Sequence, residues 1–512
     1  MTIMLAASPL IAPLLEDRAG AAHPAVSAGD VVLSYGELQR AVTMTADELR
    51  RSGVRPGDRV AICLPKSIAT LTLILGTLAA GAAYVPLNHR LPAAQLRTIL
   101  TELRPRLLIA ANDLADTLDP DALPGLRVAV TDGVPGARFV TLQRLHGAAP
   151  DVASPEDLAA VLYTSGTTGE PKGIMLSHQG MTSFVDWAAD TFEVSAADRA
   201  SSHAPFHFDL SVLDIFCTLN RHATLHLLDE TTTRFPGVMR AAIDKIGITM
   251  WYSVPTALAQ LQARRALKGV QSLRLVLFAG EVLPVPVLRQ VMADLPDVEF
   301  ANLYGPTETN VCTWYRVPGP LPAEVGTLPI GQPCAHCDIT LRDLDGAPVA
   351  AGETGEICVT GPAVMLGYWQ KPTLTTAVRV AGQAGTYRTG DLGYVRGDGE
   401  LMLVGRRDQQ VKLRGHRIEL LALEAALNSH PSVQEAIAVV AQDAAEGQLC
   451  VFLSPSGSAT GTPSELREFL AARLAPYYLP DRFEFVAELP RTANGKADRS
   501  ALRLRAHTAT TK

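Results

Sequence analysis

The segment richest in groups that could bind an anion is residues 163–173, Tyr-Thr-Ser-Gly-Thr-Thr-Gly-Glu-Pro-Lys-Gly. Its glycines let backbone N–H groups approach an anion, its hydroxyls add neutral donors, and Lys172 adds positive charge. A solvated Gly/Ser/Thr linker has a similar composition, but the apolar run 158–162 predicts a buried strand directly before it. The pattern therefore predicts a phosphate-binding loop. It is not a Walker A loop, because Pro171 stands where that loop requires glycine.

Strands and helices alternate on both sides of this loop. Strands are predicted at residues 59–64, 83–87, 107–111, 223–228, 248–252 and 273–278, and helices at 67–80 and 91–103. Such alternation predicts an α/β fold with parallel sheets covered by helices. Because ligands of such sheets bind at the carboxyl ends of the strands, the loop lies where a site is expected.

The character of the sequence changes twice in the second half of the chain. From about residue 320 to 405, dense glycine and proline with short strands predict a small antiparallel β-barrel. A smaller α+β unit is predicted beyond Asp408, so we expect an N-terminal core over residues 1–407 and a C-terminal domain over 408–512. The elements expected in that domain are helices at 419–429 and 463–474 and strands near 436–441 and 449–453.

Composition bounds the class of protein. With 512 residues, 47% apolar and 19% charged, the chain suits a globular enzyme of two or more domains. The net charge of −7, without a long basic run, argues against nucleic acid and anionic membrane as partners. No apolar run is long enough to cross a bilayer, and the apolar N-terminus predicts an amphipathic helix rather than a signal peptide. A cytoplasmic location is expected.

The seven cysteines are scattered, as is typical of a reducing compartment. Cys334 and Cys337 form one CxxC pair, but a structural zinc needs four ligands and no second pair lies nearby. A metal or redox role for this pair is the minor alternative.

Asp209 lies inside an apolar run, residues 208–213. An aspartate followed by apolar periodicity commonly begins a helix, so helix capping is one interpretation. A carboxylate in an apolar pocket is also costly unless a cation arrives, which would make it a filter for an ammonium group. The two interpretations are compatible.

The loop at residues 163–173 resembles the signature of the adenylate-forming superfamily, which includes acyl-CoA synthetases, luciferases and the adenylation domains of nonribosomal peptide synthetases. Further motifs follow in the family's order, namely NLYGPTE at 302–308, YRTGDL at 387–392, DQQVKLRGHRIE at 408–419 and PRTANGKADR at 490–499. One departure is that the family usually continues the hinge motif with Gly-Glu-Ile-Glu, where this chain has Leu-Ala-Leu-Glu at 421–424. With weaker similarities elsewhere, the resemblance spans nearly the whole chain.

The resemblance implies an ATP site. Tyr304 would stack on adenine, Asp391 would accept both ribose hydroxyls beside Arg406, and residues 279–281 would form the other wall of the adenine pocket. Glu308 would bind Mg²⁺, a cation that needs only one or two carboxylates beside phosphate oxygens. The residues expected to bind ATP are Thr164, Ser165, Gly166, Thr167, Thr168, Gly169, Lys172, Ala279, Gly280, Glu281, Asn302, Tyr304, Gly305, Thr307, Asp391, Arg406 and Lys496.

The reaction implied has two halves. A substrate carboxylate attacks the α-phosphorus of ATP, pyrophosphate leaves, and a thiol then attacks the resulting acyl-adenylate. Thr164, Glu308 and Lys496 are the expected catalytic residues, with Lys496 bridging the substrate carboxylate and the α-phosphate. Asp408 would be the hinge on which a mobile C-terminal domain turns between the two halves.

The same resemblance points to an amino acid as substrate. Asp209 matches the aspartate that holds the α-amino group in amino-acid-activating members, which acyl-CoA synthetases and luciferases generally lack. The expected substrate pocket is Phe208, Asp209, Leu210, Leu213, Tyr252, Leu277, Ala279, Leu303, Val311 and Cys312. Apart from Asp209 this lining has no charge, and its leucines favour a compact apolar side chain.

This lining resembles that of free-standing L-proline adenylating enzymes, which load a carrier protein for pyrrole formation in antibiotic pathways. Valine and leucine are the nearest rivals, because one methylene changes binding by only about 1–3 kcal/mol. A CoA ligase for a simple fatty or aryl acid would leave Asp209 without a partner. Few residues follow Lys496 and no condensation motif precedes the core, so we expect a separate peptidyl carrier protein bearing phosphopantetheine as partner.

Overall fold

The computed structural model of the protein describes residues 8–16, 21–111, 126–129, 137–142, 157–164, 171–322, 324–343, 345–407, 410–441, 447–455, 461–486, 488–491 and 497–508. Within these residues two large sheets form the centre of the fold. The first has nine strands, in the spatial order Gln332–Pro333, Thr313–Arg316, Glu299–Tyr304, Leu275–Ala279, Met250–Ser253, Arg199–Ser202, Thr224–Leu227, Pro24–Ala28 and Val31–Ser34. The strands from Glu299–Tyr304 to Pro24–Ala28 are parallel, and the edges are antiparallel.

The second large sheet has eight described strands. Their spatial order is Gly367–Tyr368, Lys172–Ser177, Leu158–Thr164, Ala83–Pro86, Arg59–Cys63, Leu107–Ala111, Ala137–Leu142 and Leu126–Ala129. The four from Leu158–Thr164 to Leu107–Ala111 are parallel, whereas Lys172–Ser177 runs antiparallel to Leu158–Thr164. The phosphate loop therefore lies between two antiparallel neighbours, and the strand Lys172–Ser177 leads directly into the helix that begins at His178.

Helices lie around and between these sheets. They are Ala12–Glu16, Tyr35–Arg51, Ile68–Ala79, Ala93–Leu103, His178–Thr191, Leu210–Val212 with the π-helical turn Leu213–Cys217 and Thr218–Asn220, Glu230–Arg234, Pro236–Ile246, Pro255–Ala263, Val285–Asp294 and Pro372–Ala377. His178–Thr191 begins as its sequence predicts, because the Ser177 hydroxyl accepts the N–H of Gly180 at 2.9 Å. None of the helices in the described part of the chain is both long and apolar enough to span a bilayer.

One hydrophobic core joins the two large sheets. Helix Ile68–Ala79 is buried on nearly every side, which places it in the layer between the sheets. It crosses helix Tyr35–Arg51 closely at Gly76, where a Cβ atom would lie 2.5 Å from Cγ2 of Thr45. The same core contains side chains from both sheets, so the sheets hold a fixed relation to one another.

A five-stranded antiparallel sheet follows the large sheets, as the sequence predicts. Asp338–Arg342, Gly355–Thr360, Gln383–Val395 and Arg379–Val380 are neighbours in that order, and Leu401–Arg406 pairs with Gln383–Val395. This open sheet is a half-barrel rather than a closed barrel, since its described strands do not return to pair with the first.

The last part of the chain is a separate α+β unit. It starts with the hairpin of Gln410–Leu413 and His416–Glu419, continues with helix Leu420–Asn428, and has a sheet of Val433–Ala441, Gln448–Pro455 and Arg482–Phe485. Helices Pro463–Ala471 and Arg499–Thr508 complete it. The predicted α/β fold class is thus confirmed, and the predicted strands and helices are present within two or three residues of their expected ends. Asp408, the expected hinge, lies outside the described residues.

Candidate active site

The candidate site is a cavity at the carboxyl ends of parallel strands from both large sheets. Thr164, Val254, Ala279, Gly280 and Gly305 line it, each at or just beyond the end of a strand. This is where α/β sheets place ligands. The conformation of Gly280, with φ of +97°, favours glycine, and a Cβ at Gly305 would lie only 1.7 Å from the Asn310 carbonyl oxygen.

Asp209 faces into this cavity, and the Thr307 side chain holds its carboxylate. The Thr307 hydroxyl donates to Asp209 Oδ2 at 2.6 Å. Asp209 stands at the N-terminus of helix Leu210–Val212, but its side chain makes no capping hydrogen bond there, so the capping interpretation does not describe its contacts. Burial raises the pKa of Asp209, against the hydrogen bond from Thr307, which lowers it. A cation beside Asp209 would stabilise its ionised form.

The surroundings of Asp209 are mostly apolar. Five further residues of the expected substrate pocket line the cavity, namely Phe208, Leu210, Tyr252, Ala279 and Val311. The other four do not line it and are at most 3% exposed, namely Leu213, Leu277, Leu303 and Cys312. Leu277 illustrates the reason, because it shares a strand face with Ala279 but lies one pleat further from the strand's end. These four belong to the hydrophobic core behind the wall.

The loop expected to hold phosphate is only partly described. Ser165, Gly166, Thr167, Thr168 and Gly169 lie outside the described residues. The residues flanking them are placed: Thr164 pairs with Lys172 across the two antiparallel strands. The Thr164 hydroxyl is buried with no hydrogen-bond partner among the described residues. Lys172 is buried, with its ammonium 5.2 Å from the centre of the Tyr368 ring.

The expected ribose and adenine residues form a connected group. The Tyr304 hydroxyl donates to Asp391 Oδ2 at 2.6 Å, and Arg406 donates to Asp391 Oδ1 at 2.7 Å. Arg406 lines the cavity, whereas Asn302 turns away and donates to the Pro329 carbonyl at 2.8 Å. Of the residues expected at ATP, Asn302 is therefore not directed at the cavity.

Glu281 and Thr307 also make contacts that their expected roles do not include. Glu281 Oε2 accepts the Thr256 hydroxyl at 2.6 Å, and Oε1 accepts the Gly415 N–H at 2.6 Å. Thr307, expected at ATP, instead donates to Asp209. Both side chains thus fix other parts of the site: Glu281 a helix start and the C-terminal hairpin, and Thr307 the aspartate.

Glu308 is fully buried beneath the cavity and is surrounded by donors. Nη1 of Arg417 lies 3.1 Å from Oε1 and 2.9 Å from Oε2, and the Tyr368 hydroxyl donates to Oε1 at 2.8 Å. Burial alone would raise the pKa of Glu308, but Arg417 and Lys172 lower it to about 2. The group is therefore a carboxylate, as a ligand for a hard cation must be.

The C-terminal hairpin of residues 410–419 forms one wall of the cavity, which the sequence did not predict. Lys412, Gly415, His416 and Arg417 all line it. Arg414 and Gly415 have φ of 52° and +79°, so the two strands are joined by a tight turn with two left-handed residues. The available signal was the set of charged residues in the motif at 408–419, among them Lys412 and Arg417.

A second cavity adjoins the first. The two share wall residues, among them Phe208, Gly415, His416 and Tyr477. The His416 ring stacks on Tyr477 at 4.1 Å and meets Phe208 edge-on at 5.1 Å. This aromatic group lies between the acidic site at Asp209 and the second cavity.

Two further expectations concern the catalytic lysine and the CxxC pair. Lys496, the expected catalytic lysine, lies outside the described residues. Cys334 and Cys337 are buried free thiols, and burial raises the pKa of each. No group of three or more His, Cys, Asp or Glu side chains in the described ranges could hold a metal ion, so the CxxC pair is no part of such a cluster.

Comparison with known proteins identifies the family. A model of the AMP-binding enzyme matches residues 16–369, and a model of the AMP-binding enzyme C-terminal domain matches residues 422–496. An L-proline--[L-prolyl-carrier protein] ligase of Pseudomonas fluorescens is 38% identical over 92% of this chain and 93% of its own length. A ligase of the same name from Streptomyces coelicolor is 37% identical, covering 97% of this chain and 96% of its own.

A solved structure has a similar fold. The crystal structure of IdnL1 is 29% identical, with a TM-score of 0.78 over 94% of this chain and 98% of its own. The first family model covers the motifs at 163–173 and 302–308, and both relatives align with more than nine tenths of the sequence. The chain belongs to the family of AMP-binding enzymes, whose members form acyl-adenylates.

Proposed function

We propose that the protein activates an amino acid with ATP, as aminoacyl-AMP, and transfers it to the phosphopantetheine thiol of a separate carrier protein. The observation that carries the proposal is Asp209, a carboxylate held by Thr307 beside the apolar residues Phe208, Leu210, Ala279 and Val311 of the cavity wall. Such a group is costly without a cation, and the α-ammonium of an amino acid would supply one.

The first half-reaction would use the nucleotide residues at the strand ends. Thr164, Lys172 and the loop residues between them would hold the phosphates, and the pair of Asp391 and Arg406 would position the ribose. These groups act by orientation and charge stabilisation, since the chemistry itself lies in the substrates. Lys496 would approach the α-phosphate and the substrate carboxylate from the C-terminal domain, taken here as residues 408–512.

Magnesium is part of the proposal, with Glu308 as its protein ligand. When bound, it would supply positive charge to the phosphate oxygens and the leaving pyrophosphate. Glu308 has the right chemistry, a buried carboxylate near Lys172. Nη1 of Arg417 is shared by both of its oxygens, however, and this guanidinium would repel a second cation at the same carboxylate.

The second half-reaction requires a path for a thiol. The second cavity, which shares Phe208 and Gly415 with the first, fits this purpose. Lys412 of the hairpin lines the cavity and interacts by charge with Asp391 and Asp209, and there it would stabilise the negative charge that develops as the thiol attacks. The C-terminal domain would move about Asp408 to exchange Lys496 for this hairpin.

For the substrate we favour L-proline. Among the described residues that line the cavity, Asp209 is the only carboxylate, and Tyr252 is the member of the expected substrate lining with a polar tip. A charged or amide side chain would lie there unpaired, at a cost of about 1–3 kcal/mol. The secondary ammonium of proline still offers two N–H donors. Two relatives that cover almost the whole chain are named as L-proline--[L-prolyl-carrier protein] ligases.

The test is amino-acid-dependent exchange of pyrophosphate into ATP with all twenty amino acids. We expect proline to give the fastest exchange, and Asp209→Ala to lose most of it. Preference for valine or leucine would overturn the substrate but keep the enzyme class. Exchange driven by simple fatty or aryl acids, unaffected by Asp209→Ala, would favour a CoA ligase instead. A cytoplasmic location and a role in antibiotic biosynthesis remain parts of this proposal.

A further inference from the structure

Lys66 lies behind the segment that carries Asp209. It stands just before the helix between the two large sheets, and its side chain borders the second cavity. Its Nζ donates to three successive backbone carbonyls, those of Ser202 at 2.6 Å, His203 at 3.1 Å and Ala204 at 3.4 Å. An ammonium group has three N–H donors and a neutral amine has two, so these contacts suit the charged form of the lysine.

The same stretch of backbone leads directly to Asp209. It begins at the end of the strand Arg199–Ser202, and short-range hydrogen bonds close the turn that follows. The Phe208 N–H donates to the Pro205 carbonyl at 3.0 Å, and the Ser211 hydroxyl donates to the Phe208 carbonyl at 2.6 Å. Because the turn is closed in this way, a displacement at its start is transmitted to the aspartate.

Lys66 also acts on the chain beyond Asp209. Asp214, in the π-helical turn Leu213–Cys217, is 2% exposed, and its Oδ2 has no hydrogen-bond partner among the described residues. Burial raises the pKa of Asp214, and the positive charge of Lys66 lowers it. The lysine thus binds the backbone before the substrate aspartate and compensates a buried carboxyl after it.

We propose that Lys66 is a positioning residue, whose ammonium holds residues 202–214 in the conformation that presents the Asp209 carboxylate to the substrate ammonium. The inference rests on the proposed function, in which Asp209 binds the amino group. Among the described residues, Lys66 borders the second cavity and is not in the lining of the first, so it acts through Asp209 rather than on the substrate. Its removal would leave three carbonyls and a buried carboxyl without their cation.

The charge of Lys66 gives this role a pH dependence of definite sign. Burial lowers the pKa of Lys66 to about 8, while the charges of Asp214 and Asp229 raise it. His203 also faces Lys66, but burial lowers the pKa of this imidazole to about 3, so it stays neutral. As the pH rises through the pKa of Lys66, the lysine loses one donor and its charge, and affinity for the amino acid should fall. Deprotonation of Lys412 would have the opposite effect, because its charge repels a bound ammonium.

The test is calorimetric titration of the full-length protein with L-proline alone and with ATP alone, at neutral and alkaline pH. At neutral pH we expect Lys66→Gln to weaken proline binding about tenfold or more and to leave ATP binding within about threefold of the wild type. The wild type should lose proline affinity on the alkaline side, although proline itself titrates at higher pH. Lys66→Gln should lack this alkaline loss, since an amide does not titrate.

Two further variants separate positioning from general damage. Lys66→Arg keeps the charge and the donors, so it should retain most of the proline affinity at neutral pH and keep it at alkaline pH. The matched control is Lys245→Gln, because Lys245 borders a third cavity beside Lys66 but pairs with the exposed Asp30. It should bind proline as the wild type does. If Lys66→Arg shows the same alkaline loss as the wild type, Lys66 is not the titrating group and the proposal fails.

Hydrogen exchange in the ligand-free protein distinguishes failure of the inference from failure of the proposed function. Peptides covering residues 202–214 should exchange faster in Lys66→Gln than in the wild type. Unchanged proline binding by Lys66→Gln, in a protein active in pyrophosphate exchange, would overturn the inference alone. A wild type that binds no amino acid would refute the proposed function, while faster exchange in the variant would still support the hold of Lys66 on this segment. Unchanged exchange there would overturn the inference whatever the substrate.

Discussion

Replacing Thr307 by valine removes the hydroxyl that holds Asp209 and keeps the size of the side chain. The bond is short, 2.6 Å from Thr307 Oγ1 to Asp209 Oδ2, as expected for a hydroxyl donating to a carboxylate. Hydrogen bonds to charged groups contribute about 1.5–3 kcal/mol, and about 1.4 kcal/mol corresponds to a factor of ten. We therefore expect kcat/KM for the amino acid to fall by about 10- to 150-fold.

The pH dependence should change as well, with a definite sign. Asp209 must be ionised to bind an ammonium group, so kcat/KM falls as the pH drops through the pKa of Asp209. Burial raises this pKa and the hydrogen bond from Thr307 lowers it. Without the hydroxyl the pKa rises, so the acid limb of the profile should move to higher pH in Thr307→Val.

The assay is pyrophosphate exchange as a function of amino-acid concentration and pH, with Thr307→Ser as the matched control. Serine keeps the donor, so it should retain most of the activity and the wild-type acid limb. If Thr307→Val stays within about threefold of the wild type and its acid limb does not move, the hydrogen bond does not prepare Asp209. If only the KM for ATP rises, Thr307 instead binds the nucleotide, as the sequence analysis expected.

Two other substitutions test separate parts of the molecule. Lys496→Ala should abolish adenylate formation in pyrophosphate exchange while sparing transfer from a supplied aminoacyl-adenylate, and equal loss of both would contradict the role of Lys496. Gly76→Ala should lower the free energy of unfolding in urea by about 1–3 kcal/mol, because the new Cβ would lie 2.5 Å from Thr45. Gly237→Ala, with open space at its helix surface, should be neutral or stabilising, and equal destabilisation by both would contradict this packing argument.

Much of the site could be predicted because its residues follow strands that the sequence marks clearly. Thr164, Ala279 and Gly305 each stand at the end of an apolar run, and parallel strands bring such ends together. Asp209 was noticeable because a carboxylate within an apolar run is costly to bury unless it is paired or binds a ligand. The strand ends needed only local pattern and one rule of sheet topology, whereas the role of Asp209 came from the resemblance to amino-acid-activating enzymes.

The remainder depends on tertiary contacts that local pattern does not encode. Leu277 lies one pleat behind Ala279, and the burial of successive same-face residues is set by how far the strand extends into the core. Asn302 was expected at the nucleotide, yet its side-chain amide donates a hydrogen bond to the Pro329 carbonyl. The position of Arg417 depends on how the C-terminal unit packs on the core. The sequence pattern of the hairpin does not predict this packing.

Asp209 and Glu308 are linked by charge, and this gives a last prediction. The negative charge of Glu308 raises the pKa of Asp209, after the larger effect of burial. A neutral side chain at 308 should therefore ease ionisation of Asp209 and favour binding of an ammonium group.

Glu308→Gln should thus bind the cognate amino acid at least as tightly as the wild type, although it should lose the ATP-dependent reaction. Calorimetric titration of the amino acid without nucleotide measures the first effect, and pyrophosphate exchange measures the second. A structural collapse around residue 308 would weaken amino-acid binding too, and Glu308→Ala, which leaves a cavity, serves as the reference for such damage. Weaker amino-acid binding by Glu308→Gln than by the wild type would mean that the two carboxylates do not interact as proposed. Unimpaired binding in an inactive variant would show that Glu308 serves the nucleotide and the hairpin, while Asp209 alone selects the ammonium.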